Sequence, residues 1–216
     1  MPKKDTVLII CAHNDDQIIG AGGSMVVFKQ QNKKVKTVVF AYGENSHPHM
    51  RAKWVRTERA KEAYESDKIL GCDGITFLDL KEGNFLNTSQ QNKAKSKLKE
   101  IIRKEKPSKI FTHNLDDPHP DHRAVLHIVL DLVKELRYNG DVYSFNVWNP
   151  LNFRKRNSPK LIVDVSKTFN KKIEAFMAHR SQKPTIITLL WNVYFQAYYN
   201  GLKNHFKYAE VFYKLK

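Results

Sequence analysis

Two short stretches of this 216-residue chain carry side chains that could bind a metal ion. In the first, an apolar run at 7–12 leads directly into His13, Asp15 and Asp16. A histidine and an aspartate three positions apart, His13 and Asp16, can bind one cation and leave Asp15 beside it as an uncoordinated carboxylate. Two protein ligands are one too few for a hydrolytic metal site, so a third has to come from elsewhere in the chain.

The second stretch, residues 113–125, reads HNLDDPHPDHRAV and follows another short apolar run at 110–112. It contains His119, Asp121 and His122, and we predict that His122 is the missing third ligand. Two histidines, one carboxylate and an open position for water make up the ligand set of a hydrolytic zinc site. The two stretches together therefore predict metal-assisted hydrolysis.

These ligands need strands that bring them together. The run at 7–12 is too short for a helix and rich in β-branched residues, which is typical of a parallel strand buried on both faces. The carboxyl ends of such strands are where open α/β sheets bind ligands, and the glycines at 20, 22 and 23 allow the next helix to pack close to the sheet. If the strands at 7–12 and 110–112 are parallel neighbours, both ligand loops lie at one edge.

Strand-like and helix-like patterns alternate along the chain without a long linker, low-complexity tract or internal repeat. This alternation predicts a single α/β domain over residues 1–216, with a mostly parallel sheet flanked by helices. The predicted strands are 7–12, 35–42, 75–80, 109–112, 141–148, 161–165 and 208–213. The predicted helices are one ending near Asn32, then 51–70, 90–106, one from about His122, 167–179 and 185–203.

The chain is strongly basic, with 37 Lys and Arg against 22 Asp and Glu and a formal net charge of +15. The lysines are spread along the whole sequence and are not interleaved with aromatic residues, which favours a solvated basic surface over a nucleic-acid interface. The charge is also compatible with an anionic substrate or glycoconjugate. A homo-oligomer is compatible with the sequence as well.

Cysteine usage and hydropathy indicate a cytoplasmic protein. Two cysteines, Cys11 and Cys72, are too few for a disulfide framework, so both are expected to be reduced thiols. No secretion signal is visible, and the segment 186–199 is shorter than the ~20 apolar residues that cross a bilayer. That aromatic segment could still rest on a membrane surface.

The motifs resemble one family along most of the chain. AHNDDQIIGAGG resembles the Ala-His-Pro-Asp-Asp signature of the PIG-L or LmbE-like N-acetylglucosaminyl deacetylases, and HPDHRAV is similar to their second signature. Arg59 and Glu62, FLDLKEG, AFMAHRSQ and YAEVF resemble further family segments in the same order. The resemblance implies a Rossmann-like fold, one divalent metal per chain, usually zinc, and hydrolysis of the acetamide of a small amino-sugar substrate.

The resemblance also implies roles for individual residues. It assigns metal binding to His13, Asp16 and His122, in agreement with the spacing argument, and the general base to Asp15. Because negative charge develops on the amide oxygen, a second donor is needed, and we expect His119 to supply it.

Two further residues complete the expected site. Asp121 could orient either imidazole through its other nitrogen. On the family pattern, Arg59 would hold a hydroxyl or an anionic group of the substrate.

Several simpler interpretations stay open at this point. Asp15 could merely cap the following helix, and Arg59 could form exposed pairs with neighbouring glutamates. The helical spacing of three aromatic residues favours core positions over a ligand pocket. These residues are Trp191, Tyr194 and Tyr198.

The sequence departs from the family at three positions: Asn14 replaces the usual proline, Gln17 a frequent glutamate, and Glu82 the common aspartate. Asp79 or Glu82 could contact the sugar.

Two other functions also fit the residues. A metal-dependent phosphoesterase would use the same side chains with two metals, and a polyanion-binding module would not depend on Asp15.

Overall fold

The computed structural model describes residues 5–47, 49–149 and 158–216. Within them the chain forms seven strands, numbered β1 to β7 in chain order: Thr6–Cys11, Lys34–Val39, Ile75–Phe77, Lys109–His113, Asp141–Phe145, Lys160–Asp164 and Ala209–Lys214. Six α-helices are numbered α1 to α6 across the same residues: Asp16–Gln30, Ala52–Leu70, Thr88–Glu105, Pro120–Glu135, Phe169–Met177 and Lys183–Lys203.

All seven strands belong to one sheet with the order β3-β2-β1-β4-β5-β7-β6. The five strands from β3 to β5 are parallel, and β7 runs antiparallel to both of its neighbours. The chain builds outward from β1 to β3 on one side and from β4 to β5 on the other, so the order reverses between β1 and β4. The predicted Rossmann-like fold is confirmed, and the reversal point is where such sheets bind ligands.

The sheet separates two apolar layers. Val7, Ile9 and Cys11 of β1 face a core shared with α1, α5 and α6, whereas Leu8 and Ile10 face a core shared with α3 and α4. Every residue of β1 is buried, as expected for a strand covered on both faces. This two-sided burial fixes the strand that carries the first ligand loop.

Helix α1 packs unusually close to the sheet because of Gly20. A Cβ atom there would lie 2.3 Å from the ring of Phe145, so only glycine permits this approach. Glu210 of β7 accepts the backbone N–H groups of Gly23 and Ser24, at 3.1 and 2.8 Å, and pairs with the buried Lys172 at 2.7 Å. An ion pair from the C-terminal part of the chain therefore supports α1.

Element boundaries follow local backbone chemistry. Helix α2 ends where predicted, because Gly71 adopts the left-handed conformation with φ 73°. Strand β3 is three residues shorter than predicted, since Asp79 adopts φ 59°, which is incompatible with continued strand geometry. Helix α4 begins earlier than predicted, because His119 caps it and Pro120 occupies the first turn.

The outer face of α6 differs from the prediction. Trp191, Tyr194 and Tyr198 are 61%, 41% and 56% exposed, so the expectation that they are core residues was wrong. The helix instead packs through Ile186, Leu189 and other apolar residues of its opposite face. Over the residues described, none of the helices combines the length and apolar character needed to span a bilayer.

Candidate active site

The two predicted ligand loops meet at the carboxyl edge of the sheet, where β1 and β4 lie side by side. Ligand atoms of His13, Asp16 and His122 all lie within 4.8 Å of one another, and all three residues are buried. The Oδ1 atom of Asp16 lies 3.3 Å from Nε2 of His122, and its Oδ2 atom lies 3.5 Å from Nδ1 of His13. The arrangement brings together the three residues that the sequence selected.

Electrostatics in this cluster favour a positive charge. Burial alone would lower the pKa of His13, but Asp121 and Asp16 raise it to about 10. Burial likewise opposes protonation of His122, yet Asp16 and Asp117 raise its pKa to about 9. Burial would raise the pKa of Asp16, but His122 and then His13 hold it well below its ordinary value. Carboxylates that stabilise protons on these rings would stabilise a metal cation at the same place.

The donor set also fits a divalent cation by a separate criterion. In the described part of the chain, Nε2 of His122, which faces Asp16 at 3.3 Å, is buried without a partner in hydrogen-bond geometry. Buried polar atoms are rarely left in this state, and two imidazoles with one carboxylate are ligands that zinc commonly takes. The residues present therefore fit the metal that the family resemblance implies.

Asp15 occupies the N-cap position of α1 but makes no side-chain cap hydrogen bond. This argues against the simpler interpretation of Asp15 as a helix cap. Its Oδ2 atom instead lies 3.3 Å from a terminal guanidinium nitrogen of Arg59. Asp15 is thus held beside the three-ligand cluster by a contact from another element.

Arg59, on α2, is 3% exposed, and its guanidinium contacts the loop that follows β1. It donates to Oδ1 of Asn14 at 2.9 and 2.5 Å and to the carbonyl of Gly43 at 3.1 Å, while Asn14 donates back to the Arg59 carbonyl at 2.6 Å. Gly43 has φ 76°, and a Cβ atom there would lie 2.3 Å from the guanidinium. The exposed pairing considered for Arg59 is wrong, and its role toward substrate stays a prediction.

His119 lies beside both histidines of the three-residue cluster, with its ring centroid 5.1 Å from that of His13 and 4.6 Å from that of His122. Its Nδ1 atom accepts the backbone N–H of Asp121 at 3.2 Å. Burial, followed by His122 and His13, lowers the pKa of His119, which favours the neutral ring. With Nδ1 accepting, the neutral ring carries its proton on Nε2, where it can donate.

Two of the acidic residues considered from the sequence lie close to His13, and one does not. The Oδ2 atom of Asp121 lies 3.4 Å from Nε2 of His13 and accepts the Gly83 N–H at 3.0 Å. Glu82 lies 3.6 Å from the same histidine nitrogen. Asp79 instead pairs with Arg56, and its side chain is 52% exposed. Of the two acidic candidates for sugar contact, Glu82 is therefore the one at the cluster.

Two side chains at this edge were not singled out from the sequence. Asp117 lies 3.0 Å from Nδ1 of His122 and accepts the N–H of His119 at 2.9 Å. His113 stacks on His122 with ring centroids 4.0 Å apart, and its Nε2 atom accepts the Ala12 N–H at 2.9 Å. Both residues lie in the second ligand-rich stretch, so the density of His and Asp there was the available signal.

Comparison with known proteins agrees with this geometry. The family model "PIG-L: GlcNAc-PI de-N-acetylase" matches residues 8–133, which include both loops. The diacetylchitobiose deacetylase of Thermococcus kodakarensis is 25% identical over 97% of this chain and 83% of its own. The 4-oxalmesaconate hydratase of Pseudomonas putida is 23% identical over 89% of this chain and 78% of its own.

A solved structure shares the fold. The N,N'-diacetylchitobiose deacetylase of Pyrococcus horikoshii superposes with a TM-score of 0.81 at 24% identity, covering 98% of this chain and 84% of that protein. The match extends well beyond residue 133. The C-terminal helices and strands described above therefore belong to the shared fold.

Proposed function

This chain belongs to the PIG-L family of GlcNAc-PI de-N-acetylases, and we propose that it is a metal-dependent N-deacetylase that releases acetate from an N-acetylglucosamine-type substrate. One observation carries the proposal. Possible ligand atoms of His13, Asp16 and His122 lie within 4.8 Å of one another, the ring of His119 lies beside both histidines, and Asp15, next to Asp16 in the chain, does not cap α1. Those are the parts that amide hydrolysis requires.

In this proposal His13, Asp16 and His122 hold one zinc ion, although other divalent metals suit the same ligands. When bound, the ion would polarise the amide carbonyl and lower the pKa of water. Asp121 and Asp117 support the ligand set from outside, because they lie 3.4 and 3.0 Å from ring nitrogens of His13 and His122.

Asp15 is proposed as the general base. An amide carbonyl is a poor electrophile, so the attacking water has to lose a proton as the new bond forms. Asp15 can take that proton because its carboxylate makes no hydrogen bond to the first turn of α1. Arg59 keeps the carboxylate in one orientation, through the 3.3 Å contact and the fixed loop around Asn14.

His119 is proposed as the donor on the opposite side of the reacting group. Its Nε2 proton can hydrogen-bond to the oxygen on which negative charge develops. The proton that Asp15 takes from water can then pass to the departing nitrogen, so that the amine leaves as a neutral group. The Asp121 N–H bond to Nδ1 fixes the tautomer that this role needs.

For the substrate, we propose a small amino sugar or a glycoconjugate with a free N-acetyl end. Glu82 is the better candidate for a hydrogen bond to a sugar hydroxyl, because Asp79 is already paired with Arg56. Two free cysteines, Cys11 and Cys72, support the expectation of a cytoplasmic location.

The decisive experiment measures acetate release from a panel of N-acetylated amino sugars, together with elemental analysis of the purified protein. Wild type should release acetate and contain about one metal per chain. Asp15→Asn should keep the metal and lose ~10²- to 10⁴-fold in kcat. Asp131→Asn is the matched control, because this carboxylate is exposed on α4 and pairs only with Lys95 among its described contacts.

Three outcomes would contradict the proposal. Full activity in Asp15→Asn would remove the general base. Phosphate release with two metals per chain would favour a phosphoesterase, and hydration of 4-oxalmesaconate without acetate release would favour the activity named for the Pseudomonas relative. Salt-sensitive polyanion binding without any turnover would point to the non-catalytic alternative.

A further inference from the structure

The outer side of α6 is a continuous apolar surface, which we call the aromatic face. Its residues recur at intervals of three and four, so they line one side of the helix. They are between 40% and 73% exposed. The aromatic face consists of Ile187, Trp191, Tyr194, Phe195, Tyr198 and Leu202.

The opposite side of α6 is apolar as well. Ile186, Leu189 and Val193 are each at most 6% exposed and belong to the core. A surface helix normally presents polar residues to water on the side opposite the core, and the aromatic face does not. Large contiguous apolar patches on soluble proteins mark interaction sites. The aromatic face therefore needs a partner.

The charges around the aromatic face indicate the kind of partner. Between Glu174 and Glu210 the sequence contains no Asp or Glu. Three lysines lie at the two ends of the helix instead, Lys183 in its first turn and Lys203 and Lys207 at its other end. Arg180, just before the helix, is already paired with Glu65 of α2 at 2.9 Å.

We propose that the aromatic face docks on an anionic phospholipid surface, with α6 lying flat in the interface. Trp and Tyr side chains suit the headgroup region, because one end of each is apolar and the other polar. Basic residues flanking the helix would contact the lipid phosphates. A second copy of this chain fits less well, because its own α6 segment would bring three further lysines and no acidic residue to the contact.

Docking through α6 would also set the orientation of the active site. Gln182, directly before α6, donates to Oγ of Ser46 at 3.2 Å. Ser46 in turn donates to the carbonyl of Gly43, which Arg59 also contacts. Gln182, the residue before α6, is thus connected by hydrogen bonds to the loop that follows β2 at the carboxyl edge of the sheet. Docking through α6 would therefore hold that edge near the lipid surface.

The test is co-flotation of the full chain with vesicles of phosphatidylglycerol and phosphatidylcholine in equal parts, compared with phosphatidylcholine alone. We expect binding to the anionic vesicles that weakens as NaCl is raised. Trp191→Glu with Leu202→Glu should weaken binding at least tenfold. The matched control is Trp54→Glu with Leu86→Glu, which alters the same residue types at 49% and 66% exposure on other elements.

A second pair tests the charges. Lys183→Glu with Lys203→Glu should weaken binding to anionic vesicles at least tenfold, whereas Lys95→Glu with Lys99→Glu on α3 should change it less than threefold. Far-ultraviolet circular dichroism checks that each variant folds. Equal losses in the control pairs, or equal binding to both vesicle types, would overturn the proposal. The proposal would also be overturned if the wild type does not bind vesicles but forms an oligomer, and if the Trp191→Glu with Leu202→Glu variant dissociates that oligomer.

Discussion

Both edges of the sheet carry carboxylates, but the carboxylates have different partners at the two edges. At the amino edge, Glu105 lies 2.6 and 2.9 Å from the ammonium groups of Lys34 and Lys36, and Lys214 lies 2.7 Å from Asp141. At the carboxyl edge, the ion pairs of Asp16 in the described chain are all with histidines, at 3.3 to 3.5 Å.

This difference separates charges that serve stability from charges that serve chemistry. A lysine on a flexible stem pairs with a carboxylate while its own side chain stays partly exposed to water, as Lys34 and Lys36 do at Glu105. Buried histidines beside a carboxylate leave nitrogen lone pairs that only a proton or a metal can use. The carboxylates named at the amino edge are therefore already paired with lysines, whereas the histidines at the carboxyl edge can still bind a ligand.

Removing one carboxylate from each edge tests whether the two edges differ in this way. Asp16→Ala should abolish stoichiometric zinc binding and lower acetate release by ~10³-fold or more, because it removes a ligand contacted by both His13 and His122. Elemental analysis and turnover measurements report the two effects.

The counterpart at the amino edge is Asp141→Ala. It should retain the metal and full turnover and should cost less than about 1 kcal/mol in unfolding free energy, because its pairs are partly exposed. Equal metal loss in both variants would show that the edges do not differ as described.

A smaller effect is expected from Arg59→Lys. A single ammonium cannot reach Asn14, Gly43 and Asp15 together, so the loop after β1 should loosen. We expect kcat to fall about tenfold with little change in KM and with the metal retained. Arg56→Lys, one turn earlier on the same helix, is the control and should leave kcat unchanged. A rise in KM alone would instead assign Arg59 to substrate binding.

The smallest effect concerns an exception at the amino edge. Asp67 is 8% exposed, and burial raises its pKa to about 6 despite a hydrogen bond from the Gly74 backbone. Lys29, the nearby cation, is bonded to Asp73 at 2.6 Å, and the like charge of Asp73 adds to the rise. Asp67→Asn should therefore stabilise the protein at pH 7 by roughly 1 to 2 kcal/mol.

The pH dependence gives the sign of this prediction. The folded protein holds the Asp67 proton more tightly than the unfolded chain, so the wild type loses stability as pH rises from about 4 to about 6. The advantage of Asp67→Asn should be present at pH 7 and should disappear below pH 4. Denaturant unfolding at several pH values measures it, and an advantage that persists at pH 3.5 would contradict the assignment.

Much of the fold could be predicted because β1 and β4 are short apolar runs and because α2 ends at a glycine. Backbone conformations that depend on single residues could not. The predicted third strand continued to Leu80, since Leu78 and Leu80 are apolar, and both are indeed buried in the structure. The positive φ of Asp79 ends the strand first, and residue type alone does not reveal it.

The candidate site divides in the same way. Residue type and spacing selected His13, Asp16 and His122, because metal ligands are chemically distinctive. The contacts of Asn14 with Arg59 could not be predicted, since they join residues 45 positions apart in the sequence. Trp191 was assigned to the wrong environment because helical periodicity finds a face but does not say which face the core takes.

The Lys172 and Glu210 pair has a consequence for how the chain can be divided. The family model ends at residue 133, yet Glu210, whose carboxylate accepts two backbone N–H groups in the middle of α1, comes from the last strand. A fragment cut at that boundary would leave the helix behind the metal ligands unbraced. Exchanging C-terminal halves between relatives would therefore succeed only where the donor supplies an acidic residue at the position of Glu210.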